Sequence, residues 1–165
     1  MSIAICPGSF DPITLGHLNI LRRTARLFDR VVVLVMYNPT KKSPMFSIDE
    51  RVKMVRRVVK PLHNVEVDTY SGLLAEYAKR FDHAIIVKGL RATTDFEYEF
   101  QMAQVNKMIN PNLETMFLTA SEKYTFLSSS AVRDLAGFGA DLSKFVPREI
   151  IDDVIARAQG GKRNG

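Results

Sequence analysis

Short apolar runs rich in β-branched residues recur along the chain, and segments with helical character separate them. Their length and composition are typical of buried strands. Strands that alternate with helices predict an α/β domain built around a parallel sheet. The five runs are Ile3–Cys6, Val31–Met36, Val65–Val67, Ala84–Val87 and Met116–Leu118.

Capping boxes mark the starts of two helices. In Ser47–Glu50 and Thr94–Glu97 a hydroxyl and a carboxylate each satisfy a free backbone donor, which predicts helices near residues 48–60 and 95–110. Glycine and proline mark the bounds of the later helices. These are predicted over residues 129–136, ended by Gly137 and Gly139, and from Pro147 onward.

The whole pattern predicts one doubly wound, Rossmann-like domain with a five-stranded parallel sheet. Helices cover both faces of this sheet, and further helices follow the last strand. The sequence shows no internal repeat, linker or second domain. The domain is predicted to cover residues 1–159, and the glycine-containing residues 160–165 are predicted to form a flexible tail.

The predicted helix from Asp95 to Ile109 carries apolar stripes on two opposite sides. One stripe can cover the sheet, and the other needs a second partner, either another copy of the chain or the terminal helix. Between the stripes, Glu99 and Asn106 share one face, which indicates either a common ligand cleft or a solvated edge. The first stripe contains Phe96, Phe100 and Ala103, and the second contains Tyr98, Met102, Val105 and Ile109.

The chain has a formal net charge of +5 and an isoelectric point near 9.4, which favours an anionic partner. The charge alone leaves a nucleic acid, a nucleotide and another phosphorylated metabolite open as that partner. Because basic residues form no run with interleaved aromatic residues, a solvated basic surface explains most of the excess charge, and no nucleic-acid partner is predicted. A membrane span is not predicted, since the longest apolar stretch, Val31–Met36, is far too short. The single cysteine, Cys6, is interpreted as a small buried strand residue. With no targeting signal at the amino end, these features predict a cytoplasmic protein.

Candidate chemistry lies in the loops after the strands, because open α/β sheets bind ligands outside the carboxyl ends of their strands. The loop after the first strand leads into a helix whose first turn is predicted to contain Gly16 and His17. Free backbone donors in that turn favour phosphate, and a histidine adds a directed hydrogen bond. The loop after the second strand contributes Lys41 and Lys42, which form either an anion site or a solvated turn.

Two later loops add cations and hydroxyl groups. After the fourth strand, Lys88 and Arg91 flank Gly89, which lets the backbone approach a ligand closely. If the strand order is 3-2-1-4-5, these cations face His17 across the switch point, where the strand order reverses. After the fifth strand, the segment Tyr124–Ser130 offers hydroxyls and free backbone donors at a helix start.

Several common nucleotide and metal motifs do not occur in the sequence. It has no Gly-x-x-x-x-Gly-Lys-[Ser/Thr] phosphate loop and no Gly-x-Gly-x-x-Gly fingerprint, which argues against a P-loop kinase and an ordinary dehydrogenase. His17, His63 and His83 lack metal-ligand spacing, so no residue is predicted to bind a metal directly. A divalent ion used here is predicted to be Mg²⁺, held mainly by substrate phosphates.

Two motifs resemble those of a known superfamily. The segment Thr14–His17 resembles the [Thr/His]-x-Gly-His motif of nucleotidyltransferases, and Ser128–Ser130 resembles their second signature, with Leu127 where isoleucine is usual. Three further segments resemble the bacterial phosphopantetheine adenylyltransferase family, and the likeness extends from Ile3 to about Ile155. These segments are Pro7–Pro12, Gly89–Arg91 with Asp95–Glu99, and Lys41–Lys42 before Pro44–Phe46.

The resemblance implies an enzyme that joins ATP to 4'-phosphopantetheine, releasing pyrophosphate and forming dephospho-coenzyme A without a covalent enzyme intermediate. It implies that His17 bonds the α-phosphate of ATP, while Lys41 and Arg91 neutralise charge around the reacting phosphates. Ser129 joins these three in the implied catalytic set. The resemblance also implies a homohexamer, in keeping with the two-sided helix.

The same resemblance implies two sets of binding residues. The acceptor set is Ser9, Lys41 and Lys88 for the phosphate, with Leu73, Leu74 and Asn106 along the pantetheine channel. The ATP set is Ser9, Phe10, His17, Gly89, Leu90, Arg91, Glu99, Tyr124, Thr125, Phe126, Leu127, Ser128, Ser129 and Ser130.

One position departs from the family pattern, because Lys88 stands where arginine is usual. A lysine offers a point charge in place of a two-pronged fork, which puts the strength of acceptor binding in question. Two other functions are considered beside the implied one. The first is an adenylyltransferase for another phosphorylated acceptor, such as nicotinamide mononucleotide, and the second is a nucleotide-binding regulatory module without turnover.

Overall fold

A computed structural model describes residues 1–39 and 43–160, with the backbone alone for residues 93 and 94. Its five strands form one parallel sheet, which confirms the predicted fold class, and their order is β3-β2-β1-β4-β5, the order that the prediction for the switch point takes as a condition. The strand order reverses between β1 and β4, so the switch point lies between these two strands. The strands are β1 (Ile3–Gly8), β2 (Arg30–Met36), β3 (Val65–Tyr70), β4 (Ala84–Leu90) and β5 (Glu114–Thr119).

Helices pack on both faces of the sheet and account for its apolar strands. Residues Val31–Val35 of β2 are fully buried, as expected for a parallel strand covered on both sides. Cys6 is buried in β1 as predicted, and this burial raises the pKa of its thiol to about 12. The helices are α1 (Leu15–Leu27), α2 (Ile48–Val59), α3 (Leu74–Ala78), α4 (Thr93–Ile109), α5 (Ser129–Gly137) and α6 (Ile151–Gly160), with short 3₁₀ helices at Glu122–Tyr124 and Arg148–Ile150.

Two hydrophobic cores divide the helices between the faces of the sheet. The larger core joins α1, α2, α5 and α6 to one face, and it includes Leu21, Val55, Val132 and Val154. The smaller core joins α3 and the end of α4 to the other face around Tyr77. None of the helices in the described ranges is both long and apolar enough to cross a membrane.

The two predicted capping boxes have different outcomes. The first is confirmed at α2, where Ser47 Oγ accepts from the N–H of Glu50 at 3.2 Å and Glu50 Oε2 accepts from the N–H of Ser47 at 2.8 Å. The second, Thr94–Glu97, is wrong because α4 begins at Thr93 with Ala92 as its N-cap residue, which places residue 94 inside the helix. Asp95 takes the acidic position in the first turn, and its carboxylate accepts from the N–H of Arg91 at 3.3 Å.

The face that α4 turns inward is the polar row between its two apolar stripes. Asn106 is buried and Glu99 is mostly buried, whereas five large apolar side chains of the stripes are between 38% and 62% exposed. The alternative in which the terminal helix covers the second stripe is wrong, because α6 packs against α5 in the larger core on the opposite face. The exposed side chains are Phe96, Tyr98, Phe100, Met102 and Val105.

Candidate active site

A cavity of about 330 Å³ lies at the switch point, at the carboxyl ends of β1 and β4. Loops after β1, β4 and β5 line it together with the start of α1 and the inner face of α4. The sequence-based expectation that His17 faces Lys88 and Arg91 across this point agrees with the structure, since all three line one cavity. The predicted residues that line it are Ser9, Phe10, His17, Lys88, Gly89, Arg91, Glu99, Tyr124, Leu127, Ser128, Ser129 and Ser130.

The other predicted site residues lie elsewhere. Phe126 is almost fully exposed, and Asn106 is buried in α4 without sharing the cavity that Glu99 lines. Lys41 and Lys42 lie outside the described residues. The remaining predicted residues that do not line the cavity are Leu73, Leu74, Leu90 and Thr125.

His17 is held by the cap of α1. It is the third residue of that helix, and Thr14 Oγ1 accepts from the His17 backbone N–H at 3.3 Å. In return, His17 Nδ1 accepts from the Thr14 backbone N–H at 3.0 Å. An accepting Nδ1 carries no proton, so the neutral ring carries its proton on Nε2. The cap therefore selects the tautomer whose Nε2 is a hydrogen-bond donor.

The two cations at the carboxyl end of β4, Lys88 in the strand and Arg91 just after it, are paired with carboxylates of α4. Lys88 Nζ lies 3.2 Å from Glu99 Oε1, and Arg91 Nε lies 3.0 Å from Asp95 Oδ2. Arg91 also donates from Nη1 to the Leu127 carbonyl at 2.9 Å. A phosphate group entering the cavity therefore competes with α4 for these cations. Asp95 was missed as a site residue, although its spacing of four from Arg91 is visible in the sequence.

The three serines at the start of α5 have different partners. Ser128 Oγ is the helix cap and accepts from the Ala131 N–H at 3.1 Å, and Ser130 Oγ accepts from Arg133 at 3.1 Å. Ser129 donates its hydroxyl hydrogen to the Pro12 carbonyl at 2.8 Å. Its oxygen can therefore accept a hydrogen bond from a ligand, but its proton is already used within the protein.

Gly89 is required by packing within the protein. A Cβ atom at this position would lie 2.9 Å from Ile20 Cγ1 on α1, closer than side chains normally come. From the sequence, Gly89 is interpreted as a position where the backbone can approach a ligand closely. The structure adds that this glycine lets α1 lie against β4.

Asp11 connects the loop after β1 to the segment before α2. Its carboxylate is buried and accepts from the N–H groups of Met45 and Phe46, each at 2.9 Å. Arg51 and Arg133 also bond to the loop after β1, and sequence reasoning missed all three of these residues as parts of the site. The segment Pro7–Pro12 was noted, but the partners of Asp11 lie 34 and 35 positions away.

The carboxylates of the cavity do not form a metal cage. Among the residues that the structure describes, no group of three or more His, Cys, Asp and Glu side chains could hold a metal ion. Asp95 and Glu99 line the cavity, and each is paired with a cation.

This parallel sheet, together with the capped His17 and the cations Lys88 and Arg91 at the end of β4, is typical of one class of protein. That class is the nucleotidyltransferases. The family model for cytidylyltransferase-like proteins matches residues 5–135. A solved structure of a candidate nicotinate-nucleotide adenylyltransferase from Vibrio parahaemolyticus has the same fold, with a TM-score of 0.68 and 21% identity over 95% of this chain and 96% of its own.

Two curated relatives cover almost the whole chain. A phosphopantetheine adenylyltransferase from Caldanaerobacter subterraneus subsp. tengcongensis is 56% identical over 89% of this chain and 91% of its own length. One from Clostridium tetani is 51% identical over 96% of this chain and 98% of its own. The chain belongs to the phosphopantetheine adenylyltransferase family, within the cytidylyltransferase-like proteins.

Proposed function

We propose that this chain transfers the adenylyl group of ATP to 4'-phosphopantetheine, giving dephospho-coenzyme A and pyrophosphate. The observation that carries this choice is the identity of 56% with a relative of that name over 89% of the chain. The cavity supports it, because it combines a histidine donor, two cations and helix-start backbone donors in a space suited to phosphate groups.

The proposed step is an in-line displacement at the α-phosphorus of ATP. An oxygen of the acceptor phosphate forms the new bond to this phosphorus, the bond to the bridging oxygen of the β-phosphate breaks, and pyrophosphate leaves. His17 donates from Nε2 to an α-phosphate oxygen, and Arg91 with Lys41 neutralises the charge around the reacting groups. Catalysis then comes from positioning and electrostatic stabilisation.

Each substrate has its own proposed contacts. Ser9 and Lys88 hold the acceptor phosphate, and Lys88 leaves Glu99 to do so. ATP is bound by the backbone of Phe10, Gly89 and Leu90, by Glu99 and by the segment Tyr124–Ser130, with Ser129 beside the reacting phosphates. Leu73, Leu74 and Asn106 are proposed to contact the pantetheine arm.

Mg²⁺ is proposed to accompany ATP and to be held mainly by its phosphates, where it would neutralise their negative charge. The donor set fits this arrangement, since the carboxylates of Asp95 and Glu99 are already paired with cations. A cytoplasmic location is proposed as well, because a single buried thiol suits a reducing compartment.

The exposed apolar stripes of α4 support the proposed homohexamer. Contiguous exposed side chains of this kind mark surfaces that bind another protein, and here a second copy is the proposed partner. We expect the purified protein to sediment as a multimer at micromolar concentration. Val105→Glu should shift it to smaller species, because it places a charge on the second stripe.

Phe138→Glu provides the matched control for that experiment. Phe138 is 89% exposed at the end of α5, on a different part of the surface, so its replacement should leave the multimer intact. A monomeric wild-type protein would contradict the proposed assembly. Equal dissociation by both variants would show that α4 is not the contact.

The proposed reaction is tested by supplying ATP with a panel of acceptors and measuring pyrophosphate release. We expect turnover with 4'-phosphopantetheine and none with nicotinamide mononucleotide. Turnover with the second acceptor alone would replace the proposed substrate. A protein that binds ATP without turnover with any acceptor would be a regulatory module.

A further inference from the structure

The loop Ser9–Pro12 is held in place by side chains from two other helices. Three of its carbonyl groups each accept a hydrogen bond at 2.8 Å from α2 or α5. The donors are Arg51 Nη1 to Ser9, Arg133 Nη1 to Asp11 and Ser129 Oγ to Pro12.

Phe10, at the centre of this loop, has a left-handed backbone. Its φ is +48°, a region that residues with a side chain seldom adopt. Such a conformation costs free energy and persists where the surrounding structure imposes it. The ring of Phe10 is buried and meets the ring of His17 edge-on, with 5.1 Å between centroids. The backbone conformation of Phe10 is thus tied directly to the environment of His17.

Arg51 fixes the peptide group that precedes Phe10. Arg51 is only 3% exposed, and it donates from Nε to the Phe46 carbonyl at 3.1 Å and from Nη1 to the Ser9 carbonyl at 2.8 Å. Burial lowers the pKa of Arg51, and the charge of Asp11 opposes this effect. The rigid guanidinium group of Arg51 therefore joins the start of α2 to the loop after β1, and the buried carboxylate of Asp11 is its counter-ion.

Arg133 fixes the residue that follows Phe10. Besides its hydrogen bond to the Asp11 carbonyl, its Nη1 lies 3.6 Å from the Asp11 carboxylate. That carboxylate is itself held by two backbone N–H groups of the segment before α2. Phe10 therefore lies between two anchored residues.

The anchored carbonyl determines where the next amide hydrogen points. The Ser9–Phe10 peptide bond is trans, so its C=O and N–H groups point in opposite directions. Because the Ser9 carbonyl points at Arg51, the Phe10 N–H points away from α2. Ser9 and Phe10 line the cavity, whereas Arg51 and Arg133 do not.

We infer that Arg51 and Arg133 are positioning residues for the nucleotide, because they hold Phe10 in its left-handed conformation and so aim its N–H at a phosphate group in the cavity. This inference rests on the proposed use of ATP. Neither arginine touches the substrate, and both act through the loop Ser9–Pro12.

Lysine substitutions test the inference, because lysine keeps the positive charge but lacks the planar guanidinium group that donates several hydrogen bonds in a fixed geometry. Arg51→Lys and Arg133→Lys are each expected to weaken ATP binding by about three- to tenfold, the usual effect of one poorly aligned hydrogen bond to a charged group. Calorimetric titration with ATP alone measures this, and thermal unfolding checks that each variant is folded. Arg57→Lys is the matched control, since Arg57 is also on α2 but pairs with Asp153 at 2.6 Å, away from the cavity.

A second measurement reports on the Phe10 amide itself. The chain has ten phenylalanines, so labelling their amide nitrogens gives a simple spectrum in which Phe10 is assigned by substitution. The Phe10 signal should shift on addition of ATP in the wild type and in Arg57→Lys, and shift less in the two test variants. A purely structural role would lower the unfolding temperature without changing this response.

The possible outcomes separate the inference from the proposed function. If the wild type does not bind ATP, both are overturned. If it binds ATP and both test variants bind it equally well with the same Phe10 shift, only the inference is overturned. Should Arg51→Lys fail to fold, Arg133→Lys still decides, because its side chain is partly exposed and its replacement disturbs the core less.

Discussion

Replacing His17 with alanine is expected to lower kcat by about 10²- to 10³-fold and to change ATP affinity far less. His17 accepts the Thr14 N–H at Nδ1, so the neutral ring carries its proton on Nε2 and can donate there. A donor aimed at charge that develops on the transferred phosphate acts chiefly in the transition state, so its loss falls on kcat. Initial rates at saturating substrates, together with calorimetric ATP binding, measure the two effects separately.

His17→Gln is the control that separates chemistry from helix capping. Glutamine at the third position of a helix can also accept the N–H of the cap residue, so this variant preserves the capping box of α1. It does not restore the ring donor at Nε2. A large loss of kcat in both variants supports the assigned role. Recovery of kcat in His17→Gln would show that the loss in His17→Ala comes from the missing helix cap. Near-normal turnover in both variants would show that His17 is not the donor to the transferred phosphate.

Lys88→Ala is expected to weaken acceptor binding by about tenfold or more, because it removes a charge-assisted contact worth roughly 1.5 to 3 kcal/mol. The structure adds a second cost. Glu99 pairs with Lys88 at 3.2 Å and would be left in the cavity as an unpaired negative charge near the acceptor phosphate. ATP affinity should change far less, because Arg91 and the start of α5 serve the nucleotide. Titration of each substrate separately into the variant measures both affinities.

Two companion variants make the Lys88 result interpretable. Lys88→Arg should retain or improve acceptor binding, since it restores the bidentate fork. Lys88→Ala combined with Glu99→Gln should recover part of the loss, because it removes the unpaired charge. Equal losses of affinity for ATP and for the acceptor in Lys88→Ala would indicate that Lys88 contributes only a general positive potential to the cavity. No loss of affinity for either substrate would mean that Lys88 contacts neither of them.

Sequence pattern predicted the sheet well because apolar runs mark parallel strands buried on both faces. It placed the strand ends too early, however. β1 continues through Gly8 and β4 through Leu90, where Gly8 pairs with Val35 and Lys88 with Phe117. Pro7, Gly8, Lys88 and Gly89 at these ends line the cavity, and none of them is a large apolar residue, so an apolar pattern cannot detect them. The five-residue α3 was missed because a helix that short shows almost no periodicity.

The motif residues of the site could be located from the sequence. The arginines that hold the loop after β1 in place, Arg51 and Arg133, could not. Thr14 and His17 are three positions apart, so local capping rules bring them together. Arg51 lies 42 positions from Ser9, and Arg133 lies 122 positions from Asp11. Contacts at such separations depend on how α2 and α5 pack on the sheet. Nothing in the local pattern distinguishes these arginines from those on the surface.

The central position of β1 governs the order in which the sheet can form during synthesis. β1 precedes both of its neighbours in the chain, and Ala4 pairs with Val31 of β2 on one side and with Ile85 of β4 on the other. The second pairing must wait until β4 has been made, and it then closes a long loop, whose entropic cost its contacts must offset. Until then, one edge of β1 is unpaired, and an unpaired strand edge can pair with other chains and promote aggregation of the nascent protein.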